Sequence, residues 1–257
     1  MEQPWQAPYR CAEANPPGGC EMLTIMPAMI STVLEALERS YGQQEPAWPT
    51  SPYIYLVWLH CGYPASDDRC SKGWESLRGT IGLDPGQILD ASLPQLTKAL
   101  TPGGMVPALR AQRLKEVANR VIEECGGDLQ GALACPVPLA RRLLKRFPNI
   151  ADPGADRILL FAGIAPVAAV PSNCPHVIVR IMRGQERENY AVTYREAQQE
   201  IQKLPESFGA RRRAFLLLKR HGQDLCKRAK PKCGQCPIRD SCAFYLGHGR
   251  GIAGYQG

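Results

Sequence analysis

The sequence predicts a nearly all-helical fold of the all-α class. Apolar residues recur at three- and four-residue spacing through most of the 257-residue chain, as on the buried face of an amphipathic helix. Almost no segment alternates with the two-residue period of a half-buried strand. Serine or proline begins several of the periodic segments and glycine follows them, which is typical of helix boundaries.

The predicted elements follow one another along the chain. Residues 1–24 are rich in Pro, Gly and polar residues, and we expect a disordered tail there. The first helix ends at Gly42, and the second, strongly apolar helix has Ser51 as its N-cap and Pro52 in its first turn. A long amphipathic helix ends at Gly126 and Gly127. Later helices are predicted in "PLARRLLKRF", "GADRILLFAGI", "SNCPHVIVRIMRG", "TYREAQQEIQKLP" and "ARRRAFLLLKRHGQDLC", before a flexible Gly-rich tail at 247–257.

The composition is typical of a soluble globular protein, with 44% hydrophobic and 21% charged residues. The N-terminal segment has no basic region followed by an apolar run, so no signal peptide is expected. No stretch reaches the roughly 18 apolar residues of a membrane span. We therefore expect a cytoplasmic protein, nucleoid-associated if it is bacterial, with no membrane partner.

Basic residues are concentrated in two parts of a chain whose formal net charge is +7. Such groups can neutralise the phosphates of a nucleic acid and release its counterions. Charge alone would equally suit a solvated surface with no polyanionic partner. The first group is Arg141, Arg142, Lys145 and Arg146, and the second is Arg211, Arg212, Arg213, Lys219, Arg220, Lys227, Arg228, Lys230 and Lys232.

Four of the eleven cysteines lie close together, with the spacing Cys226-x6-Cys233-x2-Cys236-x5-Cys242. In a protein without a secretion signal, cysteines are more often metal ligands or free thiols than disulfides. A structural zinc site generally uses two separate pairs of ligands. The single C-x2-C pair here, flanked by cysteines at longer reach, favours a cubane iron–sulfur cluster with one thiolate for each iron, although spacing alone leaves zinc open.

This segment, preceded by "LLLKRHGQDLC" and containing "CPIRDSC", resembles the [4Fe-4S] loop of endonuclease III, a member of the helix-hairpin-helix (HhH-GPD) DNA glycosylase superfamily. The resemblance implies that the four cysteines hold a [4Fe-4S] cluster. In that family the cluster is not the catalyst, and it shapes a basic loop that meets the DNA backbone. The residues implied for this contact are Lys227, Arg228, Lys230 and Lys232.

The same family carries a segment resembling L-P-G-h-G between two helices, whose backbone N–H groups face a DNA phosphate. Its counterpart here is "FPNIADPGADRILLF", in which Asn149 and Ala151 replace the two glycines. Asn tolerates a left-handed backbone and Ala does not. We expect Asp152 and Pro153 to be extra residues that reshape the turn. The resemblance implies DNA contacts by Pro148, Asn149, Ile150, Ala151, Gly154 and Arg157.

The residues with which this family breaks the glycosidic bond are replaced. Bifunctional members have a lysine just after the hairpin that forms a Schiff base with the sugar. No lysine occurs from Asp152 to Asp156, so an AP-lyase reaction of the usual kind is not expected. The family aspartate, which supports the developing positive charge or activates water, is replaced by Pro171 in "AVPSNCPHVIVR". The catalytic residue is therefore unknown, with Asp152 and Asp156 as the carboxylates nearest in sequence.

Three other side chains are candidates for a role in base flipping or catalysis. The glutamine with which family members fill the gap left by a flipped base has no counterpart here. Tyr63 or His60 could wedge or stack in its place, or both could be core and loop residues without DNA contact. His176 could act as a general base, although a lone histidine is more often a satisfied core or surface residue.

The resemblance implies two helical domains, a helix-hairpin-helix motif and a C-terminal iron–sulfur loop, with DNA in a cleft between the domains. We expect a bundle domain at 48–165 and a cluster domain made from 25–47 and 166–246. Three functions remain open. The first is a monomeric base-excision-repair enzyme, a monofunctional glycosylase that flips and excises a damaged or mismatched base from double-stranded DNA. The second is an inactive homologue that binds DNA or a lesion, and the third is a cluster-containing redox or interaction module.

Overall fold

The structure, a computed structural model, describes residues 29–248 and confirms the all-α class. The predicted tail at 1–24 lies outside the described residues. So does the predicted tail at 247–257, except for residues 247 and 248. None of the helices within 29–248 combines the length and the apolar character that crossing a membrane needs. The described residues contain no strand, and their α-helices are α1 Ile30–Tyr41, α2 Pro52–His60, α3 Asp67–Thr80, α4 Pro85–Asp90, α5 Leu93–Leu100, α6 Pro107–Cys125, α7 Leu129–Ala132, α8 Val137–Leu144, α9 Asp152–Phe161, α10 His176–Arg183, α11 Tyr190–Gln202, α12 Phe208–Asp224 and α13 Ala243–His248.

The predicted boundary residues lie where the early helices begin and end. Gly42 ends α1 with a φ of 71°, and Gly126 ends α6 with a φ of 61°, both positive values that glycine adopts without a Cβ clash. Pro52 stands in the first turn of α2, where its missing N–H removes no helical hydrogen bond. Ser51 occupies the N-cap position of α2, but its side chain makes no capping hydrogen bond.

Two hydrophobic cores determine how the helices are arranged around the hairpin and the cysteines. The first lies among α2, α6, α8 and α9, where Trp58 and Phe147 are buried. The second joins α1 to α10, α11 and α12 through residues such as Leu37 and Leu217. Phe215 of α12 belongs to the first core, so α12 contributes to both. The division into domains at 48–165 and at 25–47 plus 166–246 stays a prediction.

Candidate functional site

The predicted hairpin is formed by α8, the connection 145–151 and α9. Asn149 has a φ of 62°, a left-handed backbone that Asn tolerates better than most residues. Ala151 has a φ of −107° and a ψ of −174°, an extended backbone that any residue adopts, so the loss of the second glycine causes no strain. The prediction that Asp152 and Pro153 reshape the turn is wrong. They form the start of α9, where a proline removes no helical hydrogen bond.

The N-terminus of α9 has no capping side chain. Its backbone N–H groups and the helix dipole favour an anion at this position. Asp152 lies in the same first turn and forms an ion pair with Lys145, with Nζ 2.7 Å from Oδ1. Lys145 therefore offsets part of the negative charge that Asp152 places beside an incoming phosphate.

Asn149 contacts His60, the last residue of α2. Nδ2 of Asn149 lies 3.4 Å from Nε2 of His60, and Nδ1 of His60 lies 2.7 Å from the carbonyl oxygen of Leu56. Burial lowers the pKa of His60 to about 4, so the ring is neutral at pH 7. A neutral ring that donates through Nδ1 and accepts through Nε2 satisfies both partners. His60 is 1% exposed, which supports the interpretation as a core residue over that of a wedge.

A cavity of about 520 Å³ lies beside the hairpin and is called the cleft below. Its volume is within the range of roughly 300–1,000 Å³ that is typical of small-molecule sites. Its lining also includes Ser172, Asn173, Tyr190 and Lys219. All the predicted hairpin contacts except Pro148 line the cleft, namely Asn149, Ile150, Ala151, Gly154 and Arg157, and their contact with DNA stays a prediction.

Arg157 places a positive charge at the cleft and is held there by aromatic rings. Its guanidinium carbon lies 3.7 Å from the ring centroid of Trp48 and 4.9 Å from that of Tyr55. Contacts of this kind contribute about 0.5–2 kcal/mol each. Nε and Nη2 have no hydrogen-bond partner within the described part of the chain. The guanidinium is therefore positioned by packing on rings, which leaves hydrogen-bonding capacity unused beside the cleft.

Two tyrosines at the cleft, Tyr63 and Tyr190, are each 43% exposed. Tyr63 lies in the connection between α2 and α3, and Tyr190 is the first residue of α11. The hydroxyl of Tyr190 donates to the carbonyl oxygen of Ser172 at 2.9 Å, and its ring stacks on that of Tyr194. Exposed aromatic rings offer flat faces on which an unstacked base can lie. Of the two residues proposed to wedge or stack, Tyr63 is the one that the structure places in the cleft.

Asp156, the first of the two candidate carboxylates, is committed to internal hydrogen bonds. It is 1% exposed and accepts from Nε of Arg141 at 2.6 Å. Its other oxygen accepts from the hydroxyl of Tyr194 at 3.2 Å and from Nε2 of Gln198 at 2.9 Å. Burial raises the pKa of the Asp156 carboxyl, against the opposing charge of Arg141. These contacts join α9 to α8 and α11 and indicate a structural role.

The other predicted positions also offer no free catalytic group. Asp152 is exposed and paired with Lys145. Pro171 is buried, and its carbonyl oxygen accepts from the backbone N–H of Cys174 at 3.1 Å. His176 is 2% exposed, and its Nε2 lies 2.9 Å from the carbonyl oxygen of Cys226, so it supports the cysteine segment.

The cleft does contain a carboxylate and an amine, those of Asp67 and Lys219. Nζ of Lys219 forms an ion pair with Oδ2 of Asp67, and the two side chains are 10% and 30% exposed, the lysine being the more buried. Nζ also lies 5.4 Å from the ring centroid of Trp48, the ring that Arg157 covers. Asp67 begins α3 and Lys219 lies on α12, 152 residues further along. A pair so distant in sequence has no local pattern by which it could have been predicted.

The four cysteines of the predicted cluster line one pocket, together with residues that include Arg180 and His221. All four are free thiols. Burial raises the pKa of Cys226 to about 12 and that of Cys236 to about 11. Since sulfur binds metal ions as thiolate, a metal bound here would displace these protons.

Four free cysteines around one pocket are a donor set that a [4Fe-4S] cluster can use. Within residues 29–248, no three or more His, Cys, Asp or Glu side chains are placed to hold one metal ion. A zinc site needs its ligands to converge on one point, whereas a cubane takes one thiolate at each iron. Four unpaired thiols around a shared pocket suit the second arrangement. The presence of the cluster stays a prediction.

Arg180 of α10 holds the backbone of the basic loop between the first two cysteines. Nη1 donates to the carbonyl oxygen of Lys227 at 3.1 Å, and Nη2 donates to that of Arg228 at 3.0 Å. Glu186 binds the guanidinium groups of both Arg180 and Arg228, at 2.7 and 3.1 Å. With the backbone held from inside, the predicted DNA-contacting side chains are at the surface, since Lys227, Arg228, Lys230 and Lys232 are all exposed.

Part of the second basic group bonds within the protein instead of forming a DNA-facing surface. Arg211, Arg212 and Arg213 lie on α12, against the end of α9 and against α1. The sequence left open whether this group neutralises phosphates or forms a solvated surface, and in the structure all three arginines use donors inside the protein. They bind, in order, the carbonyl oxygen of Pro166, the carbonyl oxygens of Leu160 and Phe161, and the carboxylate of Glu38.

Comparison with known proteins identifies distant relatives. No family model matches the chain. Endonuclease III of Haemophilus influenzae is 25% identical over 197 residues, which cover 76% of this chain and 84% of that protein. Thymine-DNA glycosylase of Aeropyrum pernix is 24% identical over 213 residues, which cover 80% and 90%. A solved non-covalent endonuclease III–DNA complex aligns with a TM-score of 0.68 at 16% identity, covering 86% of this chain and 97% of that one.

The structural likeness shows the fold, and the sequence comparison shows a likeness of 24–25% identity. Both cover most of this chain. The chain is therefore similar in sequence to endonuclease III and to thymine-DNA glycosylase, and it has the fold of the solved endonuclease III.

Proposed function

We propose that this chain is a DNA-binding base-excision-repair protein of the endonuclease III type, which flips a damaged or mismatched base from double-stranded DNA and hydrolyses its N-glycosidic bond. The observation that carries this proposal is the cleft beside the hairpin, lined by two exposed tyrosines, an arginine and an ion pair. Atoms of a stacked base cannot reach such a cavity unless the nucleotide leaves the duplex. The names of the relatives support the same class of reaction.

Two surfaces would bind the DNA backbone. At the hairpin, the uncapped N-terminus of α9 presents backbone N–H groups to a phosphate. At the cysteine segment, the basic side chains of Lys227, Arg228, Lys230 and Lys232 would contact further phosphates. We propose that one copy of the chain binds one duplex, as a monomer, in the cytoplasm or on the nucleoid of a bacterium.

The cleft supplies what an extruded nucleotide needs. Tyr63 and Tyr190 offer ring faces for the base, and Arg157 places a positive charge beside it. Breaking the glycosidic bond develops positive charge on the sugar, and a nearby carboxylate stabilises that charge. Asp67 is the carboxylate that lines the cleft among the described residues.

The cluster would serve the fold of the basic loop. Cys226, Cys233, Cys236 and Cys242 would hold a [4Fe-4S] group, and bound there it would supply a rigid centre of iron and sulfide. The basic side chains between the first two cysteines would contact the DNA. His176 and Arg180 hold the carbonyl oxygens of that loop from the inside.

A second candidate function is DNA or lesion binding without bond cleavage. It is favoured by Pro171, which can neither accept a proton nor stabilise a cation in the place of the family aspartate. The binding surfaces proposed above would be the same for both functions. The two candidates therefore differ in chemistry and not in affinity.

The two functions are separated by incubating the protein with duplexes that contain uracil, an oxidised pyrimidine, 8-oxoguanine or an alkylated purine. Strand breaks after alkali treatment of at least one duplex support the glycosylase. Retained binding with no abasic product supports the binding protein. Binding that does not weaken with rising salt would overturn both, because phosphate contacts release counterions.

The Pro171→Asp variant tests the alignment with the family. A carboxylate at this position should start or increase base release if residue 171 has the family's catalytic place. Unchanged product formation by a variant that still binds DNA would show that the position is not equivalent. Because Pro171 is buried, an aspartate there can destabilise the fold. The melting temperature of the variant is therefore measured alongside, to show that it is folded.

A further inference from the structure

We infer that Asp67 and Lys219 form a reactive carboxylate–amine pair that acts on C1′ of a deoxyribose in the cleft, and in particular on the aldehyde of an abasic site. This inference rests on the proposed function, because it requires DNA in the cleft. It gives the chain a covalent chemistry whose lysine lies on α12 and not beside the hairpin.

Asp67 and Lys219 both lie in the cleft that is proposed to receive the nucleotide. Both side chains line the same cleft as the hairpin residues and the two exposed tyrosines. They are in direct contact through the ion pair of Nζ with Oδ2. The segment just after the hairpin has no lysine, and the place of the family aspartate carries Pro171. The cleft therefore keeps an amine and a carboxylate, supplied from different helices.

The step balances with these two residues and the abasic sugar alone. The Asp67 carboxylate takes a proton from the Lys219 ammonium, and the neutral amine attacks C1′ of the open-chain aldehyde. The carbonyl electrons move to oxygen, which takes up protons and leaves as water, giving an iminium ion between Nζ and C1′. Asp67, a carboxylate again after giving its proton to the departing water, accepts a proton from C2′; the C2′–H electrons form a double bond to C3′ and expel the 3′ phosphate, which breaks the strand.

The surroundings favour this step over an ordinary solvated ion pair. Lys219 is 8% exposed and lies against the Trp48 ring, so water around its ammonium is limited. Arg157 lies on the same ring and keeps positive charge beside the site once Lys219 has lost its proton. Direct contact of Nζ with Oδ2 gives the proton a short path to its acceptor.

The competing interpretation is a structural link between α3 and α12, and a matched substitution separates the two. Lys219→Arg keeps a cation for Asp67, but guanidinium does not form an imine and stays protonated. Lys72→Arg makes the same change on α3, at an exposed lysine that pairs with Asp68 outside the cleft. Asp67→Asn removes the proton acceptor with little change in shape.

The experiment uses a duplex with one preformed abasic site and sodium borohydride, which reduces an iminium ion to a stable amine. Wild type and Lys72→Arg should give a covalent protein–DNA product, and peptide mass spectrometry should locate the bond at Lys219. Lys219→Arg should give none for equal amounts of bound DNA. Asp67→Asn should give about a hundredfold less, within the range that a positioned proton acceptor contributes. Melting temperatures show that each variant is folded.

Failure of this inference is distinguishable from failure of the proposed function. Wild-type protein that binds the abasic duplex without forming the product would overturn the inference alone, as would a product that survives in Lys219→Arg. A product at Lys219 without base release from any lesion duplex would overturn base excision alone. Absence of DNA binding would overturn both.

Discussion

Asn149 and His60 make a contact that fixes the hairpin to the interior of the protein, with Nδ2 of the amide 3.4 Å from Nε2 of the ring. The Asn149 backbone is left-handed and its side chain faces a buried histidine that is neutral at pH 7. A glycine, the family's residue at this place, would have no side chain to make the contact. Nε2 of His60 can accept this contact only while it carries no proton.

His60 should make the stability of the protein depend on pH. Its pKa is about 4 in the folded state, below the ordinary value of 6.5, so the unfolded chain binds the proton first as the pH falls. The free energy of unfolding should therefore decrease as the pH falls from 6.5 to 4, by about 3 kcal/mol for this group. Urea unfolding of wild type and His60→Gln across this window isolates the contribution of His60. Parallel pH profiles would contradict it.

Substitution of Asn149 should separate backbone conformation from the side-chain contact. Asn149→Ala places a Cβ residue in a left-handed backbone and removes the amide, and should cost about 1–2 kcal/mol. Asn149→Gly removes the same amide but adopts the backbone freely, so its cost should be smaller. Urea unfolding at pH 7 measures both, and a larger loss for the glycine variant would show that the φ of 62° is not the governing feature.

Asp152 should weaken DNA binding, because it places a negative charge in the first turn of α9. Asp152→Asn should raise the affinity for duplex DNA about twofold to fivefold, which corresponds to the roughly 0.3–1 kcal/mol typical of a charge at a helix end. Asp90→Asn, at the end of α4 and away from the cleft, serves as the control and should leave the affinity unchanged. Equal affinities of wild type and Asp152→Asn would indicate that no phosphate approaches this helix terminus.

The basic loop should determine how steeply DNA binding depends on salt. Removing one phosphate contact should reduce the slope of log affinity against log salt by about 0.9. Truncation of two exposed side chains, in Lys227→Ala with Lys230→Ala, should therefore reduce the slope by about 2. Lys98→Ala on α5, which lines neither the cleft nor the cysteine pocket, is the control. A slope unchanged in the double variant would place the DNA elsewhere.

The four clustered cysteines should bind iron and sulfide. Protein purified without oxygen should contain about four irons and about four sulfides per chain and show broad visible absorbance. Cys242→Ser should lose most of the iron, whereas Cys135→Ser should keep it, because Cys135 is a free thiol outside the pocket. A colourless wild-type protein with one zinc ion per chain would contradict the cluster and indicate a zinc site.

The sequence was sufficient where a feature depends on local patterns. Helical periodicity and the glycines that end helices predicted the fold, because a helix is determined by residues a few positions apart. The cysteine spacing likewise predicted that four thiols would share one pocket, as they do. Asp152 and Pro153 were predicted to be extra residues in the turn, but they form the first turn of α9.

Features that depend on tertiary contacts were not predictable in the same way. Arg212 belongs to a basic run in sequence, yet it donates to backbone carbonyls at the end of α9. Asp67 and Lys219 carry no motif, and only the packing of α12 near the start of α3 brings them together. A count of charges along the chain gives neither the direction nor the partner of a side chain, so it predicts neither the bonds of Arg212 nor the ion pair of Asp67 with Lys219.

Excision of a base in the cleft is measured by mass spectrometric detection of the free base that each lesion duplex releases during a single turnover with iron-loaded protein. At least one duplex should release an intact free base, in an amount matching the abasic sites left in the DNA. No free base from any duplex, at protein concentrations that fully bind the DNA, would contradict it and leave a binding protein.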